Sequence, residues 1–186
     1  MDGRMIRPTP LAGLLLVETR AVGDERGQFT RVFCESDHAG LRPHLHWAQI
    51  NHSKTARRGT VRGMHFQYPP AAEAKLIRCL KGRVFDVAVD LRAGSPTFLQ
   101  WHGVELAEDT PLQVFIPEGF AHGFQALTDD VELLYLHTVA WDPAQEGRLR
   151  HDDPRLKITW PLPVDNVSKK DASAPLLPDG FEGIRL

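Results

Sequence analysis

Residues 83–91 read R-V-F-D-V-A-V-D-L. Phe85, Val87 and Val89 alternate with Asp86, Ala88 and Asp90, a period of two that sends successive side chains to opposite faces of an extended chain. On either side, short runs dominated by β-branched, aromatic and leucine residues recur, among them L-L-L-V-E-T at 14–19, T-V-R-G-M-H-F at 60–66, L-Q-V-F-I-P at 112–117 and V-E-L-L-Y-L-H-T-V-A-W at 131–141. Breaks rich in Gly, Pro and Asp separate them, as at 22–27, 92–97, 106–111 and 127–130. Such punctuation every 8–12 residues or so predicts an all-β sandwich or barrel. Only C-E-S-D-H-A-G-L-R at 34–42 and the segment after Trp141 offer short helices, and 14 prolines argue against long ones. The Pro-, Asp- and Gly-containing tail from Asp165 onward is expected to be irregular and packed on the barrel.

At 186 residues the chain suits one domain with a proper core, with no internal repeat or linker dividing 1–186. A formal charge of −2 leaves no electrostatic footprint for nucleic acid or an anionic membrane. Cys34 and Cys79 have no zinc-type spacing, which fits a reducing compartment. The opening M-D-G-R-M-I-R-P-T-P holds no apolar leader segment, and no apolar run approaches membrane-spanning length. The expectation is a soluble, cytoplasmic protein.

His65 stands in the middle of a strand-like run, R-G-M-H-F-Q at 62–67. It is open to three readings: metal ligand, acid–base group, or core histidine with a satisfied hydrogen bond. P-E-G-F-A-H at 117–122 is a Pro-x-Gly-x-x-His segment of cupin type, but the His-x-His pair of metal cupins stands here as His65-Phe66-Gln67. An amide is a poor transition-metal ligand, so His65 and His122 leave the shell incomplete and no metal is expected. The nine histidines are otherwise scattered, and His44 and His46 read as surface imidazoles beside a proline.

As an acid–base group, a neutral imidazole works near pH 7 and contributes roughly 10²–10⁴-fold when a partner orients it. Strict alternation would turn His65 inward together with Gly63 and Gln67. Lys75, Tyr135 and Asp171 are candidate companions. Read singly they are a solvated strand lysine, a core tyrosine and a surface carboxylate or cap. Arg26, Arg58 and Arg62 lie near glycines, where backbone can approach an anion and guanidinium can grip a phosphate in bidentate fashion.

Nine segments occurring in order carry a resemblance: D-E-R-G-Q-F (24–29), Q-I-N-H-S (49–53), G-T-V-R-G-M-H-F-Q (59–67), K-L-I-R-C-L-K-G (75–82), V-F-D-V-A-V-D-L-R (84–92), I-P-E-G-F-A-H-G-F (116–124), L-L-Y-L (133–136), P-A-Q-E-G (143–147) and S-K-K-D (168–171). The sequence resembles the dTDP-4-dehydrorhamnose 3,5-epimerases of deoxysugar nucleotide synthesis. The resemblance implies a cupin or jelly-roll double-stranded β-barrel and a dTDP-linked 4-keto-6-deoxyhexose substrate. Epimerisation would run through an enolate, at C3 and C5 or at one of them, without cofactor. It implies His65 as base, Asp171 as its orienting carboxylate, Lys75 beside the developing O4 oxyanion and Tyr135 as acid. Arg26 and Arg62 are then expected at the diphosphate, Gln49 and Asn51 on the nucleotide side, and His122 at the sugar. A homodimer with exchanged strands is implied as well, with Arg26 serving the partner's site.

Three positions depart from the family pattern. Trp141 replaces a tyrosine flanking the sugar, Arg31 replaces a glutamate near the nucleotide, and Glu108-Asp109 replaces Glu-Asn. Arg31 and Trp141 leave room for a changed ligand. The alternatives are a sugar-nucleotide ketoisomerase, a sugar-binding barrel without activity, or a metal-dependent cupin using His65 and His122.

Overall fold

The computed structural model describes residues 5–38, 40–42 and 45–186. His44, read above as a surface imidazole, lies outside them. The strands are β1 (Met5–Pro8), β2 (Leu15–Glu18), β3 (Ala21–Asp24), β4 (Gly27–Thr30), β5 (Gln49–Thr55), β6 (Thr60–Gln67), β7 (Lys75–Lys81), β8 (Arg83–Asp90), β9 (Trp101–Ala107), β10 (Leu112–Ile116), β11 (Phe120–Ala126), β12 (Val131–His137), β13 (Glu146–Arg148) and β14 (Asn166–Val167). The helices are single turns, α1 (Glu35–His38) and α2 (Lys169–Ala172). Among the described residues, no helix is long and apolar enough to cross a membrane.

One sheet runs β1-β2-β10-β7-β12-β5 and the other β13-β6-β11-β8-β9, with β14 pairing parallel to the start of β6. The β3–β4 hairpin forms a separate ribbon. The jelly-roll expectation holds, with one correction: the two sheets lie face to face and do not close into a barrel. Their inner faces meet through Leu14, Ile77, Cys79, Val84, Ala88, Val114, Ile116, Phe120, Phe124 and Leu133. Full burial of each large apolar side chain here contributes roughly 1.5–3 kcal/mol.

Both outer faces are partly covered too. Phe85, Val87 and Val89, the apolar half of the alternating run, face away from the sandwich interior into a layer formed by Leu149, Leu156, Leu177 and Ile184. Trp47, Leu41 and Leu45 cover Leu76, Phe115 and Leu136 of the other sheet in the same way. Tail packing therefore makes β8 buried on both sides, and its inward residues are Val84, Asp86 and Ala88. Gln125 on β11 secures the tail by donating to the Leu162 carbonyl and accepting from the Leu162 N–H, both at 2.9 Å.

The helix expectations need correction. The 34–42 segment does contain α1, but residues 142–148, directly after Trp141, form turns and β13 rather than a helix. The tail is largely irregular as expected, yet it contains β14 and α2.

Candidate active site

A cavity of about 260 Å³ lies between the sheets, lined by β5, β6, β7, β11 and β12 and by Glu73, Trp141 and Glu146. His65, Lys75, His122, Tyr135, Arg62, Asn51 and Trp141, all proposed from sequence, line it.

Strict alternation along β6 cannot place both Arg62 and His65 there, because they differ by an odd number of positions. On β11, His122 pairs with His65 but Phe124 pairs with Arg62, so two residues of β6 oppose Gly123 alone. This bulge reverses the facing of everything before it. Arg62 therefore joins His65 at the cavity, while Met64 and Phe66 enter the outer layer. Gly63 was expected inward, and it is instead part of the bulge. The strands approach so closely that a Cβ on Gly63 would lie 2.5 Å from Gly123 Cα, and one on Gly123 would lie 2.6 Å from Met64 Sδ. Only glycine fits either place, and Gly63 also takes φ +127.

Asp171 reaches the site from the far end of the chain. Pairing of Asn166–Val167 with Thr60–Val61 lays the tail along β6, and Ser168 caps α2 by accepting the Asp171 N–H at 3.0 Å. The buried Asp171 carboxylate then sits 2.7 Å from His65 Nε2. Burial opposes its charge, but hydrogen bonds with His65 and Ser168 and the charge of Arg148 hold its pKa down at about 2. A carboxylate is acceptor-only, so it favours the tautomer with hydrogen on Nε2 and leaves Nδ1 as the free base.

Lys75 is buried at the cavity wall, its Nζ donating to the His65 carbonyl at 3.2 Å and pairing with Glu73 at 3.2 Å. Glu73 also holds His137 Nδ1 at 2.8 Å. Burial would raise the Glu73 carboxyl, but His137 and Lys75 outweigh it and keep the group ionised. His137 in turn touches Asn51 and stacks against Tyr135, with ring centroids 6.0 Å apart. Burial pushes the Tyr135 phenol well above its ordinary pKa, so it holds its proton near neutral pH. On β11, His122 Nε2 lies 2.8 Å from the buried Asp86 carboxylate of β8. Desolvation lowers the His122 pKa despite that carboxylate, so the ring is neutral at pH 7.

Gln67, the amide in the broken His-x-His pair, has backbone partners. Its Nε2 donates to Ala71 O at 3.0 Å and its Oε1 accepts the Asp142 N–H at 2.6 Å. Gln49 accepts the Trp141 N–H at 3.0 Å. Together they fix the loop that sets Trp141, 55% exposed, at the cavity mouth. Arg62 is tethered to the Lys54 carbonyl at 2.8 Å, and its other donors remain available to an anion.

Arg26, Arg31 and Gln49 are not among the lining residues. Arg26 sits on the β3–β4 hairpin, paired with Asp24 and 85% exposed. Four lining or adjoining groups escape a sequence reading: Glu73, His137, Glu146 and Arg148. Each has a readable spacing, since Glu73-x-Lys75, Tyr135-x-His137 and Glu146-x-Arg148 place two polar groups on one face of extended chain.

Comparison with known proteins follows the same lines. The family model described as dTDP-4-dehydrorhamnose 3,5-epimerase matches residues 8–179. The dTDP-4-dehydrorhamnose 3,5-epimerase of Salmonella typhimurium is 43% identical over 171 residues, covering 91% of this chain and 93% of the relative. A dTDP-4-dehydrorhamnose 3-epimerase of Streptomyces niveus is 39% identical, covering 92% of this chain and 83% of that one. The crystal structure of a dTDP-6-deoxy-D-glucose-3,5-epimerase from Legionella pneumophila, in complex with dTDP-4-keto-L-rhamnose, superposes with a TM-score of 0.92 at 38% identity, covering 99% of each chain. A match running almost end to end, in sequence and in fold alike, places the chain in the dTDP-4-dehydrorhamnose 3,5-epimerase family of isomerases.

Proposed function

We propose that the whole chain, acting as one domain, epimerises a dTDP-linked 4-keto-6-deoxyhexose at C3, C5 or both, in deoxysugar synthesis. The observation that carries this reading is the His65–Asp171 pair opening on one cavity with Lys75 and Tyr135. Protons on C3 and C5 are acidic because each is α to the C4 ketone. His65 Nδ1 removes one, and the C–H electron pair moves into the ring to make an enolate with its charge on O4. Asp171 stabilises the imidazolium formed. The Lys75 ammonium, desolvated at the wall, is a cation suited to the O4 charge. Tyr135 stands on the opposite sheet from His65 and keeps its phenolic proton, which suits it to protonate the other face.

Arg62 and Asn51 are assigned to the diphosphate and nucleotide side, and His122 and Trp141 to the sugar, all on the cavity wall. Arg26 and Arg31 belong to the same reading through a homodimer. The hairpin carrying Arg26 exposes Val22 and Phe29, the latter 72% accessible, an apolar surface suited to lie across a second copy and complete its site. Gln49 contributes by setting the Trp141 loop. The free state of Cys34 and Cys79 and the nucleotide-sugar substrate suit a cytoplasmic enzyme. The family match supports this chemistry over a ketoisomerase, a non-catalytic binder or a metal-dependent cupin. Incubation with dTDP-4-keto-6-deoxyglucose in D₂O tests it: deuterium enters at C3, C5 or both, and no uptake at either carbon overturns the assignment.

A further inference from the structure

Arg148 stands beside His65 on paired strands, where their Cα atoms are register partners. Its Nη1 lies 2.6 Å from His65 Nε2 and 2.5 Å from Asp171 Oδ1, closing a triangle with the 2.7 Å His65–Asp171 contact. Its other arm is held by Glu146 at 2.7 Å, and Glu146 is held in turn by Lys170 at 2.9 Å. The guanidinium is largely withdrawn from water, with Nε buried and unpartnered, so its charge acts on the imidazole with little screening.

Each neutral tautomer of His65 gives Arg148 a place for its hydrogen. With the proton on Nε2, Nη1 donates to Asp171; with the proton on Nδ1, it can donate to Nε2 itself. The imidazolium keeps the first of these arrangements, with Nη1 donating to Asp171, but it places a second positive charge next to Nη1. The other charged or titratable groups around the ring are Asp171 from α2, Glu146 beside Arg148 on β13, Lys75 at the His65 carbonyl with Glu73 behind it, and His122 across on β11.

We propose that Arg148 is a positioning residue that acts through His65, its fixed charge returning the ring to the neutral form after each proton abstraction. This rests on the epimerase reading. Nothing in the proton transfer itself requires Arg148 to touch substrate.

The test is the pH dependence of kcat/KM for deuterium incorporation, measured on wild type, Arg148→Met, Arg148→Lys and Glu146→Gln. In Arg148→Met the acid limb should move up by about one pH unit, since the imidazolium loses its like-charged neighbour. Arg148→Lys keeps the charge and should keep the wild-type limb. Glu146→Gln removes a compensating negative charge and should move the limb to lower pH. A merely structural Arg148 would lower stability or kcat without moving the limb, so coincident limbs in Arg148→Met and wild type overturn the proposal. A limb that rises in Glu146→Gln overturns it too, and either variant decides the matter if the other does not fold. No deuterium uptake by the wild-type protein overturns the epimerase reading instead, which separates the two failures.

Discussion

Two histidine–aspartate pairs stand side by side on neighbouring strands, and their settings differ. His65 and His122 are register partners on β6 and β11, and each bonds a carboxylate through Nε2. The His65 side chain is 34% exposed and that of His122 only 6%. Asp86 lies on a strand hydrogen-bonded to β11, so its pair is enclosed within the sandwich. Asp171 arrives on the tail from outside the sheet, leaving the other face of the His65 ring open to the cavity. On the proposed reading, the same pair of residue types is a base where the carboxylate comes from the tail, and an enclosed pair of the cavity wall beside the sugar where it comes from within the sheet.

His65→Ala should break this contrast most strongly, lowering deuterium exchange by roughly 10²–10⁴-fold while the melting temperature stays near wild type. Tyr135→Phe should lower epimerised product by about 10²-fold while the His65 face continues to exchange. A parallel fall of exchange and epimerisation would move Tyr135 out of the acid role. His122→Ala should act on folding, costing about 3 kcal/mol in chemical denaturation because Asp86 is left buried without its partner. Asp86 Oδ1 already lacks one. Asp86→Asn keeps an acceptor for His122 and should cost only about 1 kcal/mol.

The pairs should also separate by pH. His122 has a lowered folded pKa, so the unfolded chain takes up its proton first, and stability falls as pH drops below the ordinary histidine value of 6.5. Asp171 is held at about 2, so its contribution is complete above the unfolded value of 3.8 and is lost as pH falls toward 2. Melting curves across pH should show the lower branch disappear in Asp171→Asn and the upper branch in His122→Ala. The smallest effect belongs to Trp141→Tyr, a substitution at an exposed position that should change stability by less than about 0.5 kcal/mol. It should shift the ratio of C3 to C5 exchange, measured by NMR.

The strands of the sandwich were readable because alternation and turn residues are local signals. The run at 83–91 gives its strand correctly, but not which of its faces looks inward, since both are covered by parts of the chain remote in sequence. The candidate site was named at His65, Lys75, Tyr135 and Asp171 through the family resemblance rather than through the residues singly, and the structure brings these four together. Strict alternation failed at Gly63, because a bulge depends on how two strands fit rather than on either alone. Glu73, His137 and Arg148 escaped because Glu73 meets His137, and Arg148 meets Asp171, only once the topology has brought distant segments together. Their two-residue spacings were visible, but without the partner strand they look like any charged edge.

The bulge at Gly63 has an evolutionary consequence. On the proposed reading, point substitutions at Arg62 or His65 would impair one property each, anion grip or basicity. Deleting a single residue at 63 or 64 would restore a regular ladder in which Arg62 still opposes Phe124 and still shares the cavity face. His65 would keep its place opposite His122. Along this strand, therefore, the spacing between Arg62 and His65 can shrink by one residue without either side chain leaving the cavity face, because the bulge absorbs the loss of length.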